Sequence, residues 1–290
     1  MIDETVREIK EMRTHSSSTV AIHAARALAE LTDRDFRTVD EFLRNLDRNS
    51  TVLRQANPSH ASLQSTQRGI VEAVQRVDLE SVSEAKAELM RSIENTVERI
   101  GEATDKTALQ AQALLNDGDV VLTHDFSRTV LAVLQRAVAD GQEHRVFTTE
   151  ARPRYMGRRM ARELGTIDGI DPTLIVDSAA GHYISECDRV IVGMDCIVDD
   201  VLYNRVGTFP IATTAAHLDI PMTVVGAASK IVDAGFQFEN DYRSSVEVMR
   251  EPTTAFHIEN PAYDATPLEL LDTIVTDAGI QDVTAPQAQH

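Results

Sequence analysis

Five separated stretches of this chain place charged or hydroxyl side chains directly after short apolar, β-branched runs: His124, Asp125 and Ser127; Glu150, Arg152 and Arg154; Asp177 and Ser178; Asp195; and Lys230. In Val192-Gly193-Met194-Asp195-Cys196-Ile197 a single aspartate stands among apolar neighbours. Such surroundings favour a raised carboxyl pKa, which suits proton transfer. The segment from Glu150 to Arg159 brings Arg152, Arg154, Arg158 and Arg159 together around Pro153. Guanidinium forks match phosphate oxygens, so this reversal of charge is a candidate anion site. Each stretch alone has a plainer reading. Asp177-Ser178 caps a helix, Glu150 is a surface charge, Arg158 and Arg159 line a solvated helix face, and Asp195 is a hydrogen-bonded structural residue. Five loops converging on one sheet edge exceed what turn chemistry requires.

The elements that must position these groups follow from periodicity. From residue 3 to about 116 the spacing is helical, with stripes such as Val20, Ile22, Ala25, Leu28, Leu31 and Leu89, Met90, Ile93, Val97, Ile100. Thr38-Val39-Asp40-Glu41 reads as a helix start, and Asn57-Pro58-Ser59 as a break. After Asn116-Asp117-Gly118-Asp119 the pattern changes to strands at Val120–Leu122, Arg145–Thr149, Thr173–Val176, Arg189–Gly193 and Met222–Gly226, alternating with amphipathic helices. The expectation is an α/β protein: an all-helical N-terminal domain (1–116), a Rossmann-like domain with a mostly parallel sheet (117–281), and a flexible tail (282–290). The run Asn260 to Pro267, with two prolines, reads as a rigid non-helical arm.

Composition narrows the partners. With 46 acidic against 28 basic residues the formal net charge is −18, which disfavours a nucleic-acid backbone. Lysine occurs only at positions 10, 86, 106 and 230, so the surface is carboxylate-rich with few lysine stems. That composition reads as adaptation to high salt, with an ordinary acidic cytosolic protein as the alternative. Cys187 and Cys196 lack disulfide-framework or zinc-ligand spacing. The acidic start and the absence of an apolar stretch of about 18 residues predict a cytoplasmic protein with no membrane association, cofactor or metal.

The motifs Gly118-Asp119-Val120-Val121-Leu122-Thr123-His124, Thr149-Glu150-Ala151-Arg152-Pro153 with Gly157, Val176-Asp177-Ser178-Ala179-Ala180, Gly193-Met194-Asp195, Asn204-Arg205-Val206-Gly207-Thr208 and Asn260 to Pro267 together resemble one superfamily. It joins the alpha, beta and delta regulatory subunits of translation initiation factor 2B with ribose-1,5-bisphosphate isomerase and 5-methylthioribose-1-phosphate isomerase. The resemblance covers nearly the whole chain in motif order and implies a dimer formed through the Rossmann-like domain. Its isomerases open a sugar-phosphate ring and move a proton between the first two carbons with a cysteine and an aspartate. Asp195 matches the aspartate, whereas Asp125 stands where the cysteine is carried. An aspartate serves as acid only if burial raises its pKa, and two facing carboxylates sharing a proton do this elsewhere.

The resemblance also implies substrate contacts from Arg13 and Ser16, in a loop matching the isomerases' phosphate loop, and from Arg68, His124, Ser127, Arg152, Asn204, Arg205 and Lys230. Asp199-Asp200 departs from the isomerase pattern and adds carboxylates beside an anionic ligand. The regulatory subunits also lack the cysteine and carry Ser-Arg after Thr-His, as Ser127-Arg128 does here, but they lack the aspartate that Asp195 keeps. Two functions follow. In the first, an initiation factor 2B alpha-like protein binds a sugar phosphate or nucleotide in the former isomerase crevice and acts through partners: initiation factor 2 and other copies of itself, as a homodimer or higher homo-oligomer. In the second, a divergent aldose-ketose isomerase acts on ribose 1,5-bisphosphate or a related ribose 1-phosphate. There Asp195 and Asp125 exchange the proton, Arg13 and Arg152 hold phosphate, and Lys230 polarises an oxygen. Loss of the thiol favours the first.

Overall fold

The computed structural model describes residues 2–10, 17–58, 60–232, 236–251 and 253–283. It separates into two compact units, Met1–Glu102 with Ser229–Glu239, and Ala103–Ala228 with Asn240–His290.

The first unit is helical: α1 (Ile2–Lys10), α2 (Ser17–Ala27), α3 (Val39–Gln55), α4 (Ala61–Gln75) and most of α5 (Val82–Ala111). Thr38 starts α3 as its residue type predicts, its hydroxyl accepting a hydrogen bond from the Glu41 amide at 3.1 Å. The apolar stripes meet in one cluster that includes Val20, Leu28, Leu31, Phe42, Leu46, Ile70, Leu89 and Ile93. The segment 229–239 joins this unit, and the Ser65 hydroxyl donates to the Ser229 carbonyl at 2.6 Å.

The second unit holds β1 (Val120–Thr123), α6 (Arg128–Ala139), β2 (His144–Thr149), α7 (Met156–Leu164), β3 (Ile170–Ile175), α8 (Ala180–Tyr183), β4 (Arg189–Gly193), β5 (Cys196–Val198), β6 (Val201–Arg205), α9 (Thr208–His217), β7 (Met222–Val225), α10 (Ser245–Val248), β8 (Tyr263–Pro267), β9 (Thr273–Thr276) and β10 (Gly279–Asp282). The main sheet runs β10-β9-β7-β4-β1-β2-β3. Every neighbouring pair is parallel except β10 with β9. Strands so buried read as near-continuous apolar runs, and both faces are covered: Leu122, Phe147, Val190 and Val224 enter one core cluster, Val121, Val146, Ile191 and Val225 another. Each such side chain stabilises by about 2 kcal/mol relative to exposure.

The chain builds outward from β1 to β2 and β3, then returns past β1 to β4, β7 and β9. The order therefore reverses between β1 and β4, the switch point at which the carboxyl ends of parallel strands leave a crevice. A small antiparallel sheet, β5-β6-β8, adjoins the crevice because β5 starts immediately after Asp195. Two details depart from the sequence reading. Ala108, Ala111 and Leu115 pack with Val121 and Val130 in the second unit. Asp282 closes β10, and the Val283 amide donates to the Asp272 carbonyl at 2.8 Å, so order extends past the expected start of the tail.

Candidate functional site

The loop after β1 is locked before it presents anything. His124 is 2% exposed and both ring nitrogens are used: Nε2 lies 2.9 Å from the Val206 carbonyl and Nδ1 2.6 Å from Thr149 Oγ1. A carbonyl only accepts, so the ring carries its proton on Nε2, and Nδ1 accepts from the threonine hydroxyl. Ser127 caps α6 by accepting from the Val130 amide at 3.2 Å. Between them Asp125 takes φ 63°, a left-handed conformation that aspartate tolerates better than most residues and that collects at functional sites.

Asp125 and Asp195 are joined by one guanidinium. Arg205 Nε lies 3.3 Å from Asp125 Oδ2 and 3.6 Å from Asp195 Oδ2, with side-chain exposures of 30%, 15% and 23% in that order. Arg205 ends β6, where it pairs with Tyr263 of β8, and its guanidinium lies over the Tyr263 ring at 4.9 Å. Burial pushes the Asp125 carboxyl up from its ordinary range, against the pull of Arg205 and with help from Asp195. For Arg205 burial works against the charge, but Asp195, Tyr263, Asp125 and Asp241 outweigh it and hold the guanidinium firmly protonated. The Tyr263 hydroxyl is also pushed up, first by burial and then by Asp195.

Asn204 is buried and donates to Thr208 Oγ1 at 3.1 Å, securing the turn into α9. The same turn is capped by Asp264, whose Oδ2 accepts from the Gly207 and Phe209 amides at 2.7 and 3.0 Å. Arg152 sits in the β2–α7 loop, where its amide and that of Ala151 donate to the two Asp177 carboxylate oxygens, both at 2.7 Å. Asp177 thus holds a neighbouring loop rather than capping its own helix. The Arg152 guanidinium turns to the Val248 carbonyl at 3.0 Å. Arg158 is taken by Glu150 at 2.7 Å. Arg154 instead feels Arg205, Arg243 and Asp125; burial first and those two guanidiniums next lower its pKa.

Arg13 and Ser16 fall outside the described residues. Arg68, on α4, and Lys230, in the turn Ala228–Lys230, belong to the helical unit, where Arg68 and burial together lower the Arg54 pKa, burial acting more. Asp199 and Asp200 form the exposed β5–β6 hairpin turn, with φ 47° and 60°, rather than lining the site. Sequence reading missed Arg243, Asp241 and Tyr263, because the segment 240–263 carries no strand or helix periodicity strong enough to place them. Cys187 is buried and its thiol is pushed up to about 12, by burial first, which makes it chemically inert.

A cavity of about 340 Å³ lined by Ala216, Asp219, Pro221 and Asp272 lies at the amino ends of β7 and β9, away from these groups. Among the described residues no cluster of His, Cys, Asp or Glu could hold a metal ion, and no helix is long and apolar enough to cross a membrane.

Comparison with known proteins places this architecture among relatives. Residues 13–283 match the model of the Initiation factor 2 subunit family. The chain is 33% identical to a ribose 1,5-bisphosphate isomerase of Haloterrigena turkmenica, covering 95% of this chain and 88% of that protein. It is 32% identical to one of Thermococcus kodakarensis, covering 96% and 89%. Among solved structures it is similar to the translation initiation factor eIF-2B of Pyrococcus horikoshii OT3, with a TM-score of 0.79 at 27% identity over 99% of this chain and 98% of that one.

Proposed function

Since the chain belongs to the Initiation factor 2 subunit family, we propose that it is an aldose-ketose isomerase of a phosphorylated ribose, with ribose 1,5-bisphosphate as substrate. The single observation that carries the reading is the Asp125–Arg205–Asp195 bridge at the switch point. Names of relatives at about this distance support it more than they support a purely regulatory role.

The reaction moves protons only. The bond between C1 and the ring oxygen breaks as that oxygen gains a proton; C2 loses its hydrogen and its hydroxyl proton as the carbonyl forms, and C1 gains a proton. One acid and one base on the same face suffice, with no oxidant or reductant. Asp125, whose carboxyl is pushed up by burial, is the group that holds a proton, and Asp195 is the base. Arg205, beside both, faces the negative charge that develops on O2 of the enolate and stabilises it. Arg13 and Arg152 hold phosphate and Lys230 polarises an oxygen in this reading. It includes a cytoplasmic homo-oligomer.

The test is to incubate the protein with ribose 1,5-bisphosphate in molar salt and follow ribulose 1,5-bisphosphate by NMR. Turnover that disappears in Asp195→Asn supports the isomerase. Saturable binding without turnover overturns it.

A second reading is favoured by the residue after Thr123-His124: Asp125 stands where the resemblance places the isomerases' thiol. There the chain binds a sugar phosphate or nucleotide and acts through a protein partner such as initiation factor 2, in keeping with its likeness to an eIF-2B structure.

A further inference from the structure

Beside the two carboxylates lies a group of cations that the proton chemistry does not use. The segment running into α10 is tied to the small sheet: the Arg243 amide donates to the Asn260 carbonyl at 2.9 Å, and the Ala262 amide to the Asp241 carbonyl at 2.9 Å. Its far end is held by Arg152, which donates to the Val248 carbonyl. Arg243 is thereby fixed near the end of β8, whose Tyr263 carries the Arg205 guanidinium on its ring.

Arg243 is incompletely satisfied. Its Nε is buried and makes no hydrogen bond, while its terminal nitrogens lie 3.4 Å from Asp241 and 3.7 Å from Glu247. Charge-assisted hydrogen bonds close to about 2.8 Å, so these are loose pairs that can yield to a stronger anion. Glu247 is also shared, its Oε2 lying 3.5 Å from Asn260 Nδ2. Arg154 is open to solvent, and no carboxylate among the described residues comes within ion-pair distance of its guanidinium. Arg154 feels the guanidiniums of Arg243 and Arg205 more strongly than the carboxylates of Glu247 and Asp125; a phosphoryl group with three acceptor oxygens relieves that repulsion.

We propose that Arg154 and Arg243, with Arg205 at their inner edge, form a phosphate-binding subsite for one phosphoryl group of the ligand. The inference rests on the sugar-phosphate reading above and deepens it. It supplies the Rossmann-like unit with its own phosphate clamp, built from residues outside the Arg13, Arg68 and Lys230 set. Asp125 and Asp195 then sit beside the clamp, with Arg205 common to both, so a ligand anchored there presents its sugar carbons to the two carboxylates.

The test is calorimetric titration of the full chain in molar potassium chloride with ribose 1,5-bisphosphate, ribose 5-phosphate, ribose 1-phosphate and inorganic phosphate. Arg154→Gln and Arg243→Gln are each expected to weaken ribose 1,5-bisphosphate by about 10- to 100-fold, the loss of one charge-assisted hydrogen-bond set. They should weaken only one of the two monophosphates, and Arg154→Lys should recover part of the loss. Equal affinity in wild type and both glutamine variants overturns the subsite and leaves the isomerase reading intact. So does an equal loss on both monophosphates. If the wild type binds inorganic phosphate but none of the sugars, and Arg154→Gln abolishes that binding, the subsite stands and the sugar reading falls. Binding of none of the four overturns both.

Discussion

Arg205 Nε approaches Asp125 Oδ2 to 3.3 Å while its guanidinium rests over the Tyr263 ring, so one side chain both compensates a buried carboxylate and is held by the strand that pairs with its own. The residue types explain why this works. Arginine stays charged when buried, and its planar fork serves a carboxylate on one edge and an aromatic face on the other. Tyr263 follows Asn260-Pro261-Ala262 and enters β8 at the position that pairs with Arg205.

Removing that cation leaves Asp125 and Asp195 facing each other across an uncompensated site. Arg205→Gln is expected to destabilise the fold by about 2 kcal/mol. That is below the usual cost of breaking a buried pair, because the guanidinium is 30% exposed. Urea unfolding at neutral pH measures the loss. As pH falls through the raised Asp125 pKa the carboxyl is neutralised and no longer needs the partner, so the difference should shrink; an equal loss above and below that window would mean that Arg205 acts by packing alone.

Asp125 itself sets a pH dependence whose sign is fixed by the direction of its shift. Its folded pKa lies above the ordinary aspartate value of 3.8. Between the two values the folded protein holds a proton that the unfolded chain has lost, so stability falls as pH rises through that window and is flat on either side. Asp125→Asn removes this slope, and its stability relative to wild type should therefore rise with pH across the window. In the isomerase reading, kcat/KM declines as pH climbs past the folded pKa of the acid, and Asp125→Asn eliminates turnover. Denaturant midpoints read at half-unit pH steps check the first, and the NMR assay the second.

The main sheet was legible because its strands are buried on both faces and written in β-branched runs. Arg189–Gly193 falls where periodicity put it, and Val120 and Met222 begin strands that end within a residue of expectation. The small sheet was not legible. Cys196–Val198 and Val201–Arg205 are joined by Asp199-Asp200, a two-residue hairpin turn that needs positive φ at both positions. Asn-Gly would have announced that turn; two aspartates instead read as ligand-side charges. β9 and β10 are only four residues each and end a parallel sheet antiparallel, which alternation with helices does not foretell. At the site, strand ends gave Asp125, Asp195 and Arg154, but Arg243 lies in a segment that pairs across the fold through backbone hydrogen bonds, which no local pattern announces.

The charge balance makes its own prediction. A formal net charge of −18 on 290 residues gives self-repulsion that mobile ions screen within about 10 Å at 0.1 M and within about 3 Å at 1 M. The thermal midpoint should therefore rise from low to molar potassium chloride. Exposed pairs such as Arg76–Glu72 at 2.9 Å lose strength over the same range and reduce the gain without reversing it. A midpoint that stays level or falls across the titration would refute salt adaptation and leave an ordinary acidic protein.

Gly207 is the position where a single methyl group should do the most damage. Its φ of 110° is unfavourable for any side chain, and a Cβ there would stand 2.7 Å from His124 Cε1 and 2.9 Å from Nε2. The imidazole cannot retreat without giving up both the Val206 carbonyl and the Thr149 hydroxyl. Gly207→Ala is therefore expected to cost about 3 kcal/mol, combining backbone strain with overpacking. Gly193→Ala is the control. Its Cβ would meet Ser127 Oγ at 2.6 Å and Ser127 Cβ at 2.9 Å. Turning the hydroxyl away costs one helix cap, about 1 kcal/mol, and the Cβ contact adds overpacking, but no positive φ is strained there as it is at Gly207. Equilibrium unfolding of the two variants should rank them in that order. The reverse order would show that the ring yields more readily than the serine and that His124 does not fix the turn beside Asp125.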